Sequence, residues 1–410
     1  MALNFGAIAD DFTGGSDLAG MLTENGVRTL QCFGVPDKLW PEQFEAAVIC
    51  LKSRSAPKED ACRWSLDALS WLQNAGTRQV QFKYCSTFDS TDQGNIGPVI
   101  EVLLEAMQVP FTIAMPALPV NRRTQYLGYL FVDGVLLAES HMKDHPLNPM
   151  TESNLSRHLR RQTVLRTGLM ELTEVRRGAE VVHDSFEKLI NSGVRVGFVD
   201  ATEQSDIDVA CEAAVEMKLV TGASGFGMGL PKAWRKLGWT PSRPSSGVVM
   251  GDDLPVLILS GSSSTATLHQ LEVLRAEGYR TITLDYRELD RVERDCREVL
   301  EQGKPVCVFS SAPAESRFAA EVAGEIEAAF AELARRLAPV VLRIVVAGGE
   351  TSGAVVAALQ VRAAEVIAVI DPGVPALRSV DARRLELVLK SGNFGSKDFF
   401  LKAIRFREAR

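Results

Sequence analysis

Cysteine is sparse in this chain, and where it occurs it is scattered. Cys32, Cys50, Cys62, Cys85, Cys211, Cys296 and Cys307 form no CxxC pair, so they fit reduced thiols of a cytoplasmic protein and read as small buried hydrophobes. No run approaches the roughly eighteen apolar residues of a membrane span, and residues 1–10 hold no basic leader, so neither insertion nor export is expected. Charge of one sign is lacking too. Lys+Arg 45 against Asp+Glu 52 gives −7, which argues against nucleic acid as a partner and means that an anionic ligand needs local positive charge. A Walker GxxxxGK[ST] sequence and a GxSxG elbow are both missing. Of five histidines, His141 and His145 have i, i+4 spacing, but Pro146 follows at once and no third ligand is evident, so zinc is not expected. Metal ligands stay unassigned.

What is present is an alternation of short apolar runs with amphipathic stretches. At 410 residues two domains are the natural prior. Phe5–Ala9, Arg28–Phe33, Ala47–Leu51, Gln79–Lys83, Phe111–Met115 and Arg195–Val199 read as strands, with helical patterns such as Lys58–Gln73 and Asp206–Met217 between them. Asp133-Gly134 between apolar flanks signals a hairpin. Prolines, serines and glycines cluster at 241–255, the expected linker between a first domain (1–240) and a second (256–410). After it the alternation restarts, with strands near Val256–Leu259, Thr281–Leu284, Val306–Phe309, Leu342–Ala347, Val366–Ile370 and Leu385–Lys390 and a long helix over Arg317–Leu337. The fold class is α/β, each domain a mostly parallel sheet flanked by helices.

Three glycine- or serine-rich turns follow strands of the second domain: Ser260-Gly261-Ser262, Gly348-Gly349-Glu350-Thr351 and Lys390-Ser391-Gly392-Asn393. Backbone N–H groups and a helix N-terminus, read here as capped by the Thr351 hydroxyl, suit an anion. Each turn alone has a plainer reading as a loop. Three on one sheet point to a polyphosphate, which gives Ser260, Gly261, Ser262, Gly348, Gly349, Glu350, Thr351, Gly392 and Asn393 as candidate polyphosphate-binding residues. Glu350 is either a water-mediated Mg²⁺ contact or a charge matched to a helix N-terminus.

The first domain carries carboxylates at its first strand end, Asp10-Asp11-Phe12-Thr13-Gly14. Adjacent carboxylates are costly to hold together unless they bind something, so one could hold a hydroxyl while the other removes its proton; the plainer alternative has Asp11 and Thr13 capping the next helix. A second cluster, Lys83 with Ser86, Asp89 and Ser90, suits a small polyhydroxylated acid, Lys83 pairing its carboxylate and the others its hydroxyls. In Asn121-Arg122-Arg123-Thr124, Arg123 offers a fork for a carboxylate or phosphate.

In order along the chain, Ala9-Asp10-Asp11-Phe12-Thr13-Gly14, Asp89-Ser90-Thr91 with Gly94-Asn95, Thr221-Gly222-Ala223-Ser224-Gly225, Ser260-Gly261-Ser262, Ala347 to Gly353, Asp371-Pro372-Gly373-Val374-Pro375 and Lys390 to Gly395 make the sequence resemble the four-carbon acid sugar kinase family. The resemblance implies an N-terminal sugar-acid domain, a C-terminal ATP domain and an active site in the interdomain cleft. Within the family, Tyr84 to Thr91 and Asp144-His145-Pro146-Leu147 are similar to the branch acting on 3-oxo-tetronate rather than on threonate or erythronate. The implied chemistry is phosphoryl transfer from MgATP to a terminal hydroxyl, with Asp10 or Asp11 as base and Thr13, Lys83, Ser86, Asp89, Ser90 and Arg123 around the acid. The implied partners are the sugar acid and ATP, with Mg²⁺ as cofactor, no nucleic acid and no membrane, and a homodimer as an allowed assembly. One departure stands out: the branch runs Asn-Gly-Arg-Thr where this chain has Asn121-Arg122-Arg123-Thr124, so Arg122 is an added charge. A dinucleotide oxidoreductase would need GxGxxG after its first strand, and a sugar-acid sensor would leave the C-terminal turns without purpose.

Overall fold

The apolar runs of the first half become strands: β1 (Phe5–Ala9), β2 (Thr29–Phe33), β3 (Ala46–Cys50), β4 (Gln79–Lys83), β5 (Thr112–Met115), β6 (Arg123–Tyr126), β7 (Tyr129–Val132), β8 (Val135–Leu136), β9 (Thr167–Met170), β10 (Val196–Val199) and β11 (Leu219–Gly222). They belong to a computed structural model that describes residues 3–38, 43–145, 148–239, 248–310, 319–381 and 383–408. The chain divides into two units, Met1–Pro244 and Ser245–Arg410. Most of the expected linker, 241–247, lies outside the described residues, as do Pro146 and Leu147, while Val248–Met250 is a strand.

In the first unit, eight strands run parallel in the order β2-β3-β1-β4-β11-β5-β10-β9. The strands β1 to β4 are buried along their whole length, as helices on both faces demand; β1 and β3 read as unbroken apolar runs, while β2 buries Gln31 and β4 buries Gln79, Gln81 and Lys83 among their apolar residues. From β1 the chain winds out to β2 and back to β3 on one side, then crosses to β4 on the other. A crevice therefore opens beyond the carboxyl ends of β1, β3 and β4, where such sheets take their ligands. The strands β9 and β11 were not expected; at four residues each, with a glycine inside, their apolar signal is weak.

The hairpin at Asp133-Gly134 is present, with φ 54° and 85°, joining β7 to β8. A second two-residue turn, Leu127-Gly128, joins β6 to β7 with φ 50° and 74°. Leucine rarely adopts that conformation. The Asp200 carboxylate holds it there, accepting from Leu127 N at 2.7 Å and Gly128 N at 3.0 Å.

The second unit carries β12 (Val248–Met250), β13 (Val256–Ser260), β14 (Arg280–Thr283), β15 (Val306–Phe309), β16 (Arg343–Ala347), β17 (Ala363–Asp371), β18 (Val374–Ser379), β19 (Glu386–Lys390) and β20 (Phe406–Glu408). Its sheet has the order β14-β15-β13-β16-β19-β18-β17, parallel from β14 to β19, with β18 antiparallel to both neighbours. The winding repeats that of the first unit: β13 leads out to β14 and β15, and the chain then crosses to β16. Its crevice opens beyond β13 and β16. The long helix spans Ala319–Leu337. A core of Ile258, Val345, Ile367 and Val388 packs under Leu271, Phe399 and Phe400. The chain end is pinned by the buried Arg343, which pairs with Glu386 at 2.6 Å and donates to the carbonyls of Ala403 and Phe406.

Candidate active site

The backbone of Asp10, one residue past β1, ties three strand ends together. Its N–H donates to Lys83 O at 3.0 Å on the β4 side, and its carbonyl accepts from Ser53 N at 3.0 Å and Arg54 N at 3.2 Å in the turn after β3. That turn is held from behind by the buried Asn95, whose Nδ2 donates to the carbonyls of Ser53, Arg54 and Ala56. Arg54 therefore reaches a fixed place. Its Nε and Nη2 grip the Asp10 carboxylate at 2.9 and 2.8 Å, Nη2 also lies 2.8 Å from Asp11 Oδ1, and Nη1 lies 3.3 Å from Asp89 Oδ2. One guanidinium thus gathers three carboxylates, and against the pull of burial Asp10 and Asp11 hold it charged well above even its ordinary pKa.

The two adjacent aspartates differ. Asp11 is the N-cap of the helix Phe12–Glu24, accepting from Gly14 N at 3.0 Å and from the Thr13 hydroxyl at 2.7 Å. Burial pushes its pKa up, but Arg54, Lys83, Thr13 and Gly14 together outweigh it and the carboxyl sits below its usual range. Asp10 is 3% exposed, and there burial wins over Arg54, so its pKa is raised. Lys83 Nζ, equally buried, donates to Tyr84 O at 3.0 Å and lies where a side chain on Gly14 would touch it, 2.7 Å from that position. Glycine at 14 keeps that space open. Among the described residues Asp89 Oδ1 and Asp17 Oδ1 are buried acceptors with no hydrogen-bond partner, and burial raises the Asp17 pKa. Such oxygens are costly to leave unpaired, and ligand hydroxyls would satisfy them.

The loop after β4 is strained. Phe88 has φ 54° and is fully buried against Tyr84, His158 and Phe198, ring centroids 5.3 to 6.0 Å away. Ser86 lies inside this turn. Ser90 is spent locally: its hydroxyl accepts from Gln162 at 2.9 Å and its carbonyl from the buried His158 at 2.7 Å, where burial lowers the imidazole's pKa. Arg123 opens β6 and donates to Asn121 O. The extra Arg122 pairs with Asp133 at 3.0 Å on the surface of the hairpin, apart from Arg123.

In the second unit the three turns meet. Gly261 N donates to Ala347 O, and Gly348 N to Lys390 O, both at 3.0 Å, so the turns leave the sheet side by side. A side chain on Gly261 would overlap Thr351 Oγ1 at 2.2 Å, and one on Gly392 would overlap Ser262 Oγ at 2.5 Å. The Gly392 carbonyl accepts from Ser264 Oγ at 2.6 Å, Thr267 Oγ1 at 2.9 Å and Lys390 Nζ at 3.0 Å. Ser260 Oγ is buried with no partner among the described residues. Asn393 and Glu350 flank this group in sequence, both exposed to solvent.

The expected hydroxyl cap at Thr351 is a misplacement. The helix runs Gly349–Ala358 with Gly348 as N-cap at φ 128°, a conformation only glycine tolerates, while Gly349 has an ordinary φ and nothing within 4 Å of where its Cβ would be. Two charged residues escaped the sequence reading. Arg54 lies in the turn after β3, as Asp10 follows β1 and Lys83 ends β4, so the same positional rule would have found it; Lys390 was seen only as the edge of a turn. The HMKDH stretch is a short 3₁₀ turn over His141–Asp144, and among the described residues no group of three His, Cys, Asp or Glu stands close enough to hold a metal.

Residues 5–230 match the family model of a sugar-binding N-terminal domain, and residues 257–400 that of a nucleotide-binding C-terminal domain. The chain is 45% identical to a 3-oxo-tetronate kinase of Cupriavidus necator over 98% of its own length and 96% of that protein's. It is 40% identical to one of Salmonella typhimurium, over 98% and 99%. The crystal structure of Haemophilus influenzae protein HI1011 superposes with a TM-score of 0.83 at 40% identity, covering 97% of this chain and 98% of that one. The chain belongs to the four-carbon acid sugar kinase family, with a sugar-binding domain followed by a nucleotide-binding one.

Proposed function

We infer that this protein is an ATP-dependent kinase that phosphorylates the terminal O4 hydroxyl of 3-oxo-tetronate, giving 3-oxo-tetronate 4-phosphate. The observation that carries this reading is kinship at 40 to 45% identity, end to end, with relatives of that activity. The geometry supports it from both sides. In the first unit the acid meets Lys83, which spends one of its three N–H groups on Tyr84 O, and the unpaired oxygens of Asp89 and Asp17 accept its hydroxyls. Thr13, Ser86 and Arg123 complete the acid's surroundings in this assignment, Arg123 toward the carboxylate, while Ser90, spent on Gln162 and His158, shapes the loop behind them. Asp10 is the base. Its raised proton affinity suits removal of the O4 proton as the O4–Pγ bond forms and the bond from Pγ to the ADP oxygen breaks, while the Arg54 fork fixes its orientation.

In the second unit Ser260, Gly261, Ser262, Gly348 to Thr351, Gly392 and Asn393 take the triphosphate, with the Gly348–Thr351 helix start facing its negative charge. Mg²⁺ would arrive on the phosphates, with few protein contacts. When bound, Mg²⁺ neutralises phosphate charge. The seven thiols are all free, which fits a cytoplasmic setting, and no described helix is long and apolar enough to cross a membrane.

A coupled assay of ADP release across 3-oxo-tetronate and the D and L forms of threonate and erythronate tests the reading. Turnover on 3-oxo-tetronate at least about tenfold above the others in kcat/KM, about 1.4 kcal/mol of discrimination, is expected. Preference for D-threonate or D-erythronate would move the chain to another branch of the family, and no ADP with any acid would remove the kinase assignment.

A further inference from the structure

We propose that Lys390 is the positioning residue that gives the nucleotide site its fixed positive charge: from beneath the turns it orients the Ser391–Asn393 backbone, and its ammonium is neutralised by the nucleotide's phosphates. This rests on the kinase reading. Lys390 is the last residue of β19 and is fully buried. Each of its three ammonium protons has an acceptor, Thr267 Oγ1 at 2.8 Å, Gly392 O at 3.0 Å and Ser391 O at 3.1 Å, and the Phe399 ring centroid lies 5.9 Å away. Every acceptor is neutral. A buried ammonium is costly unless an opposite charge meets it, and among the described residues no carboxylate pairs with it. An aliphatic side chain would fill the same space without that cost, so an anion that comes and goes is the partner the position lacks.

Its surroundings say where that anion lies. Three donors pull the Gly392 carbonyl inward, from Lys390, Ser264 and Thr267. In a planar trans peptide the following N–H points the opposite way, so the Asn393 N–H is turned away from Lys390. The missing side chain of Gly392 leaves Ser262 and Ser264 beside it, and Gly348 N reaches Lys390 O at 3.0 Å, so all three turns converge on this lysine. Lys390 touches no phosphate itself, since its protons are used. It sets the turn and supplies the charge.

Among the described residues the groups shown against Lys390 are Thr267 from the helix Thr265–Ala276, the carbonyls of its own turn, Phe399 from the helix Phe399–Arg405 and Ala347 from β16, with Ser264 one step away on the Gly392 carbonyl, and none of these ionises near neutrality. Burial alone lowers its pKa, to about 8. The ammonium is therefore charged at pH 7 and loses its proton within an accessible range, whereas a terminal phosphate is already ionised at about pH 7.5.

Calorimetry on the full chain, titrating ATP and adenosine separately, tests this. For wild type between pH 7.5 and 9.5, ATP affinity should fall about tenfold while adenosine affinity moves less than about threefold. At pH 7.5, Lys390→Met should raise the ATP Kd about tenfold or more, leave adenosine within about threefold, and lose the pH dependence. Equal loss of ATP and adenosine binding by the variant would make the residue merely structural, and pH-invariant ATP affinity in wild type would overturn the proposal even if Lys390→Met fails to fold. Wild type that binds no ATP at all would instead remove the kinase reading beneath it.

Discussion

Asp10 and Asp11 are neighbours in sequence, share one arginine and have opposite responses to their surroundings, so each substitution has its own signature. Asp10→Asn should lower kcat by about 10²- to 10⁴-fold, the usual contribution of a positioned base, with KM for ATP unchanged within about threefold. Asp11→Asn keeps a competent cap and should cost little stability, whereas Asp11→Ala should cost about 1 kcal/mol in a denaturant titration. Normal turnover by Asp10→Asn would move the base to Asp11. The pH dependence of stability separates them further. The Asp10 pKa is raised on folding, so its contribution is present below the unfolded value of about 3.9 and is lost as pH rises through the folded value. Asp11's is lowered, so its contribution is present above the unfolded value and is lost as pH falls through the folded one. Wild-type stability minus that of Asp10→Asn should therefore shrink from acid toward neutral pH. The corresponding difference for Asp11→Asn should grow, and the same slope for both would refute the distinction.

At the scale of elements, the sequence was clearest where burial is continuous. The strands β1 to β4 and β13, β15 and β16 are buried almost throughout because helices cover both faces, and their bounds were legible to within a residue or two. The hairpin of β17 and β18 was not, although Asp371-Pro372-Gly373-Val374 has proline and then glycine at the centre of a tight turn, with Gly373 at φ 76°. The pair β12 and β20 was equally hidden, since two three-residue strands more than 150 positions apart leave no periodic trace. Site residues followed the same division. Asp10, Lys83 and Gly348 stand at the ends of legible strands, whereas the role of Asn95 depends on contacts some forty residues away. Asn95→Ala should cost about 1–3 kcal/mol, through buried carbonyls left without a donor, and should lower turnover by loosening Arg54. Unchanged kcat would mean that Arg54 is held by the aspartates alone. The nucleotide turn gives a sharper contrast. Gly348→Ala forces alanine into φ 128° and should destabilise the protein by about 1–3 kcal/mol, whereas Gly349→Ala, with open space and ordinary φ, should leave stability within about 0.5 kcal/mol and raise KM for ATP. If Gly349→Ala leaves KM for ATP unchanged, the backbone there does not approach a phosphate.

At the scale of the molecule, the two units solve one problem in one way. Each winds outward from a central strand, β1 or β13, returns beside it, and crosses to the other side, so each opens a crevice at the same topological position. What differs is the chemistry at the strand ends. The first unit places four carboxylates around Arg54 and Lys83, a set suited to hydroxyls and to a proton in transit. The second places hydroxyls, glycine backbone and a buried ammonium at the ends of β13, β16 and β19, a set suited to phosphates. Net charge gives no hint of this division, because −7 is spread over the whole chain while each site depends on a few local groups. Amide exchange on the full-length protein tests the assignment without cutting the chain. Saturating ATP should slow exchange in the turns after β13, β16 and β19, and the sugar acid alone should slow it after β1, β3 and β4, because a ligand at about 100 times its Kd stabilises what it binds by about 2.7 kcal/mol. Protection by ATP confined to the turns around Asp10, Arg54 and Asp89 would reverse the two assignments. Protection by the acid in the second unit would do the same, since the hydroxyl and glycine turns there offer a sugar acid's hydroxyls no buried, unpaired carboxylate oxygens like those of Asp89 and Asp17.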